Sequence, residues 1–170
     1  MGSTYFQNKK FLTHLDELRW SIVEQPAFVK CGREFFQDDT LTFFFSIDEC
    51  LQQNDARAIL LSSVLPYVEK PHQLLDSIIK HRFQYIIIDR TPLIKQRTDR
   101  LTIQKVPPSI YNANYPAWFF SRDGLLSAFE KEYELIADFD ALGGKILIEG
   151  GVATDKGFIF KLKGSVLQSE

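Results

Sequence analysis

The sequence predicts an α/β fold, a Rossmann-like, mostly parallel sheet with helices on both faces and an antiparallel hairpin at its C-terminal end. Three observations predict it. Candidate strands TLTFFFSI (40–47), ARAILLSS (56–63) and FQYIIID (83–89) are continuous apolar runs rather than alternations, the pattern of strands covered on both sides. Helical patterns separate them, which is the order of a layered α/β unit. Lys145–Glu149 and Gly157–Lys163 flank a glycine-rich turn, a hairpin signal.

Each element follows from local chemistry. Tyr5, Phe6, Phe11, Leu12 and Leu15 space an apolar face over residues 4–16, with Ser3 or Thr4 as the cap. LRWSIVE (18–24) is a strand, and Pro26 suits the first turn of a helix over 26–36 whose core residues are expected to be Phe28, Val29 and Phe36. DECLQQ (48–53) is a short helix with acidic residues in its first turn. Pro71 opens a helix striped by Leu74, Leu75, Ile78 and Ile79. Residues 90–121 hold four prolines and show no clear helix or strand. A segment of that length is usually functional or disordered, and its aromatic content argues against disorder. RDGLLSAFEKE (122–132) returns to helix and YELIADFDAL (133–142) to strand. No internal repeat or second domain is evident, so residues 1–170 are read as one domain.

Composition narrows the function classes. The 170 residues are 45% hydrophobic and 25% charged with a net charge of −2, which is ordinary for a globular protein and carries no footprint for nucleic acid or an anionic membrane surface. No apolar run reaches membrane-spanning length and no secretory signal opens the chain, so the expected location is the cytoplasm. Cys31 and Cys50 lack metal-ligand spacing and read as buried thiols in a reducing compartment, with a disulfide as the unsupported alternative; no metal site is expected.

Four constellations could carry chemistry. Gly2 followed by Glu24 has the spacing of a cofactor turn and a ribose-binding acid at a strand end. Glu24 reads equally as an exposed charge beside a helix N-terminus. Ser62 and Ser63 end an apolar strand, where open α/β sheets bind ligands; they are also ordinary capping residues. His72, beside a helix start, is a second-choice base against a surface histidine. Asp89 and Arg90 follow the next strand, and Asp89 could take a proton while Arg90 holds an anionic group. The competing reading is an internal pair that fixes the long loop. Tyr111, Tyr115, Trp118 and Phe119 could wall a pocket or simply pack the loop.

Taken in order, GSTYFQNKKFL, RWSIVEQPAFV, ILLSSVLPYVEKPHQLL, YIIIDRTP, DRLTIQKVPPSIYNANYPAWFF and KGFIF resemble the class I methyltransferases that use S-adenosylmethionine. The likeness is to a family of bacterial members with little characterised biochemistry, and it spans nearly the whole chain. It implies methyl transfer to a small acceptor, with a sugar or polysaccharide precursor suggested by the gene neighbourhoods of that family. Gly2 would end the cofactor loop, Glu24 would bind the ribose, Ser46 and Ile47 would lie near the adenine, and Ser62 and Ser63 would border the methionine end. Asp89, then His72, would act as base, with Arg90, Tyr111, Tyr115 and Trp118 on the acceptor.

The resemblance also carries a departure. The family has a strand and a glycine-rich loop before GSTYFQ, where this sequence has only Met1 and Gly2. In the family's strand order, 3-2-1-4-5-7-6, that strand is the central one. Its loss would leave a slot of about 10 Å, two interstrand spacings. The flanking strands would close up, another chain would fill the slot, or the sequence is a truncated product, the origin favoured here. Exposed edges would then promote self-association. A non-catalytic Rossmann-like fragment that self-associates or binds a partner is the alternative reading.

Overall fold

A computed structural model describes residues 3–164. It divides into two compact units that meet in sequence between Ala56 and Arg57. Each is described by itself.

In the first unit, β1 (Trp20–Val23) and β2 (Leu41–Phe44) form a parallel pair in register from Trp20–Leu41 to Val23–Phe44. The helices are α1 (Ser3–Asn8), α2 (Pro26–Phe35) and α3 (Ile47–Gln53). Pro26 opens α2 as expected, because its missing N–H would be unpaired there anyway. Tyr5, Val29, Leu41 and Phe43 make the core, with Leu18, Trp20 and Ile22 packed on it.

Two expectations change here. The helix over 4–16 stops at Asn8 and continues only as a short 3₁₀ turn to Phe11. Of its apolar stripe only Tyr5 is buried, while Phe6, Phe11 and Leu15 are exposed. A helix this short depends on its buried face, and one residue finds a core. In α2, Phe28 and Phe36 are exposed and Val29 is buried. The inward face is set by Gly32, where a Cβ would sit 2.4 Å from the Phe43 ring.

In the second unit one strand organises everything. β4 (Tyr85–Ile94) has β8 (Gly151–Leu162) antiparallel along one edge. Its other edge is shared in sequence. β3 (Ala58–Ser62) pairs in parallel with Tyr85–Asp89, and the end of β6 (Asn114–Ser121) pairs in parallel with Leu93 and Ile94. β5 (Arg100–Lys105) and β7 (Tyr133–Ile148) complete the sheet by antiparallel pairing with β6 and β8. Hence the class is α/β, but the six-stranded sheet is mostly antiparallel, not mostly parallel.

The helices of this unit are α4 (Pro71–Lys80) and α5 (Arg122–Ser127). Leu75 and Ile78 of α4 are buried, as are Leu61, Leu65, Ile86, Ile88, Phe158 and Phe160. Phe129 stacks on Phe160 with centroids 4.1 Å apart.

The segment 90–121 is the largest correction. It is not irregular: it extends β4 and then folds as the β5–β6 hairpin. Its prolines misled because proline normally breaks a ladder. Pro92 falls between the last β3 pair, Ser62–Asp89, and the first β6 pair, Leu93–Phe120, where that edge has no partner strand. Pro116 lies in β6 before it reaches β4. The C-terminal hairpin appears as expected but is longer, with β7 running unbroken in assignment to Ile148 across two register shifts.

Candidate functional site

The ladder between β3 and β4 ends at the pair Ser62–Asp89. Beyond it the chain departs from regular geometry on both strands. Ser63 has φ 55° and Arg90 φ 52°, a left-handed backbone that costs about 1–2 kcal/mol for a residue with a side chain. The register of β4 against β8 shifts between Ile88 and Thr91, the mark of a bulge, and bulges often re-aim side chains beside functional sites. Ser63 N–H still donates to Asp89 O at 3.0 Å, which ties the two distorted points together.

The side chains close a small network over this break. Ser62 Oγ donates to Asp89 Oδ2 at 2.8 Å and accepts from Arg90 Nη2 at 2.7 Å and Nε at 3.0 Å. Arg90 Nε is also 3.5 Å from Asp89 Oδ2. Both charged side chains stay about one-third exposed, so the network is a polar surface rather than a buried ion pair. The Thr91 hydroxyl next to it is buried with no hydrogen-bond partner among the described residues.

An aromatic group adjoins it. The 3₁₀ turn Leu65–Tyr67 follows β3 and buries Leu65 and Pro66, leaving Tyr67 half-exposed. Tyr67 Oη donates to Gln104 Oε1 of β5 at 3.2 Å, and its ring meets Tyr115 of β6 edge-on at 5.6 Å. Tyr111 and Tyr115 share a hydroxyl contact at 3.5 Å. That contact, with burial behind it, pushes Tyr115 up to about 12. Gln104 and Tyr115 are register partners, so their side chains rise from one face of the hairpin. Trp118 pairs with Leu101 and lies on the opposite face; it does not share the wall expected of it.

Asp155 of β8 lies opposite Pro92 and is 5% exposed. Its Oδ2 accepts from Gly143 N–H at 2.9 Å, at a place where a Cβ on residue 143 would come within 2.6 Å of that oxygen. Burial pushes its carboxyl up. Gly143 pulls it back, the charge of Asp89 raises it again and Arg90 opposes. Burial, then the charge of Asp155, likewise pushes Tyr67 up.

His72 has a different setting. Its Nε2 lies 2.6 Å from Asp99 Oδ2, its ring stands edge-on to Phe120, and Asp99 Oδ1 accepts the Ser121 N–H at 2.7 Å. This pair fastens the start of α4 to the β6–α5 junction. The structure gives His72 no bond to Asp89 or Ser62.

In the first unit, Glu24 follows β1 and its N–H donates to Phe44 O at 3.2 Å, which sets it beside the end of β2. Among the described residues its Oε2 accepts only from the neighbouring Gln25 N–H. Ser46 is exposed and its Oγ caps α3 by accepting from Glu49 N–H at 3.0 Å. Ile47 is the half-buried first residue of that helix. Glu24, Ser46 and Ile47 thus gather at the carboxyl ends of the parallel pair. Gly2 lies outside the described residues.

No family model, no curated protein and no solved structure matches this chain.

Two surface hollows lie elsewhere. One, of about 330 Å³, is lined by Arg33, Gln37, Thr42 and Glu49 among others, and one of about 240 Å³ by Asp76, Lys80, Lys131 and Glu132. Neither includes a candidate site residue named from the sequence. Sequence reasoning missed Tyr67, Asp99 and Asp155. Tyr67 carried a signal, since it follows a strand-ending serine pair. Asp155 lies within the terminal hairpin and carried none. Cys31 and Cys50 are free thiols, Cys50 buried. Among the described residues no helix is long and apolar enough to cross a membrane.

Proposed function

We propose that the chain is a Rossmann-like methyltransferase-type domain that uses S-adenosylmethionine and transfers a methyl group to a small acceptor. One observation carries this reading. The larger sheet contains the run β3-β4-β8-β7, with β8 reversed, and β1-β2 form a separate parallel pair. Matched by chain order, these are strands 4-5-7-6 and 2-3 of the order that the sequence resemblance implies. The β5–β6 hairpin is then an addition on the extended half of β4.

The residues that this reading assigns to the cofactor belong to both units, and each is taken by itself. Glu24 has carboxylate capacity for ribose hydroxyls, because among the described residues its side chain accepts one hydrogen bond, from its neighbour. Ser46 and Ser62 have their hydroxyls committed to a helix cap and to the Asp89–Arg90 network, so they would offer backbone groups. When bound, S-adenosylmethionine supplies an electrophilic methyl group. The chain's part is to hold the acceptor in line and exclude water. Asp89 is the base this reading assigns to a hydroxyl acceptor, with Arg90 and the tyrosines as positioning groups and His72, held by Asp99, as the second choice.

The test is cofactor-dependent thermal stabilisation of the full chain. A ligand at 100 times its dissociation constant adds about 2.7 kcal/mol. A saturable rise in Tm with S-adenosylmethionine and S-adenosylhomocysteine, reduced by E24A, is expected. No rise with either, or a rise untouched by E24A, overturns the reading.

The exposed Phe6, Phe11, Phe28, Phe35, Phe36 and Phe45 of the first unit favour a second reading, a non-catalytic domain that self-associates, since that much apolar surface marks an interaction site. Sedimentation analysis showing a tight oligomer without cofactor binding would support it.

A further inference from the structure

The two strands of the first unit treat their outer edges differently. In the parallel ladder Trp20 N–H donates to Thr40 O at 2.7 Å and Glu24 N–H to Phe44 O at 3.2 Å. Alternation then turns the backbone groups of Trp20, Ile22 and Glu24 toward β2, and those of Ser21 and Val23 away from it. On β2 the outward residues are Leu41, Phe43 and, just past the strand, Phe45. The chain covers most of that edge itself. Leu41 N–H donates to Asp38 Oδ1 at 2.7 Å, and Leu41 O accepts from Asp38 N–H at 3.0 Å. Phe43 O accepts from Arg33 Nε at 2.9 Å, and Phe45 N–H donates to Glu49 Oε2 at 2.7 Å. The outer edge of β1 has no such cover. β1 pairs with β2 alone, and the outward N–H and C=O groups of Ser21 and Val23 have no partner among the described residues. Trp20–Val23 also holds no charge, proline or bulge, the usual devices that keep an edge from pairing.

We propose that this edge binds the same edge of a second copy of the chain, β1 antiparallel to β1, with Ile22 on the twofold axis. Antiparallel strands exchange both backbone hydrogen bonds only between residues that point outward on each. Within the strand, one register uses every outward group: Ser21 opposite Val23 of the copy, and Val23 opposite its Ser21. The edge is therefore self-complementary, as a twofold interface requires. A strand of four residues is too small for a stable dimer, which needs about 800 Å² from each partner. Apolar surface continues from β1 and adds to it. The Tyr5 ring lies 5.6 Å from Trp20, Phe6 stands edge-on to Tyr5 at 5.2 Å, and Phe36 lies 6.4 Å from Phe6. Phe6 and Phe36 are about half exposed, and Val23 is 40% exposed. Such pairing rests on the self-associating reading of the first unit and names the surface that performs it.

Sedimentation velocity of the full chain over a hundredfold range of concentration is the first measurement, and a monomer–dimer equilibrium is expected. S21P removes an N–H that the β2 ladder does not use, and it should weaken the dimer at least tenfold. Cysteine pairs then read the register. C31A takes away the half-buried native thiol, and Cys50 is buried. In that background, S21C and V23C chains mixed under diamide should form a disulfide, because hydrogen-bonded partners have Cα atoms about 5.5 Å apart, within disulfide reach. Neither variant alone should do so, since like positions are shifted by two residues, about 7 Å along the strand. A monomer at every concentration overturns both the pairing and the self-associating reading. A dimer that S21P leaves intact, no disulfide in the mixture, or S21C or V23C alone cross-linking as readily as the mixture overturns the pairing and leaves self-association standing. If S21P does not fold, the cysteine pair decides.

Discussion

Ser62 and Asp89 face each other as the last register pair of β3 and β4, and the Ser62 hydroxyl donates to Asp89 Oδ2 at 2.8 Å. The same Ser62 oxygen accepts twice from Arg90. One small side chain therefore joins two opposite charges at the point where β4 bulges. Removing it leaves both groups short of a partner. S62A is expected to lower stability by about 1.5 kcal/mol, the low end of the range for a hydrogen bond to a charged group, because both charged side chains are about one-third exposed. R90A should cost less in the S62A background than alone, because the two side chains act as one unit. A urea double-mutant cycle checks this, and additive costs would refute it.

Ser63 has φ 55°. Alanine suffers that conformation as serine does, while glycine does not. S63G should therefore be more stable than S63A by about 1 kcal/mol, against the usual penalty for glycine. Thermal unfolding of the two variants decides it, and S63A at or above S63G would show that the turn is unstrained.

Gly32 of α2 lies under the buried Phe43 ring, with 2.4 Å available to a Cβ. Helix propensity favours alanine over glycine by about 1 kcal/mol. Overpacking a fixed ring costs about 1–3 kcal/mol, and Phe43 is too enclosed to move aside. G32A is expected to be destabilising by about 1 kcal/mol or more in denaturant unfolding, with a neutral or stabilising result contradicting this packing.

Burial raises the Asp155 carboxyl above 3.8, with Gly143 and Arg90 pulling down and Asp89 pushing up. The folded chain therefore keeps that proton to higher pH than the unfolded chain does. Ionisation subtracts stability as pH climbs from about 4 through the raised value, and the loss is constant above it. The amide that D155N introduces has no charge to gain. The Tm difference between D155N and the native chain should move in favour of D155N from pH 4 to pH 7. A difference that is flat, or that moves the other way, would show that the carboxyl is not raised.

Much of the local order could be read from residue types alone. Pro26 and Pro71 open helices as expected, since a first-turn proline forfeits no hydrogen bond. The apolar runs around Phe43, Leu61 and Ile86 are strands, and the glycine-flanked hairpin is present. The site was legible wherever it depended on strand ends: Ser62, Asp89 and Arg90 come together because parallel register brings the carboxyl ends of β3 and β4 level. Trp118 was misjudged because its face depends on hairpin register, and a two-residue periodicity assigns sides only once the strand is known to exist.

The sequence by itself determined the element types and the strand tips on which polar residues cluster, because capping, proline geometry and apolar periodicity act within a few residues. Only the tertiary structure decided that 90–121 forms strands, that His72 belongs to Asp99, and that Asp155 is buried opposite Pro92 with Gly143 N–H as its donor. Those outcomes rest on pairings between residues far apart in the chain. Whether a proline breaks a strand or sits harmlessly in one depends on which edge has a neighbour, and whether a carboxylate is buried or solvated depends on what folds over it. Neither quantity exists until the sheet is assembled.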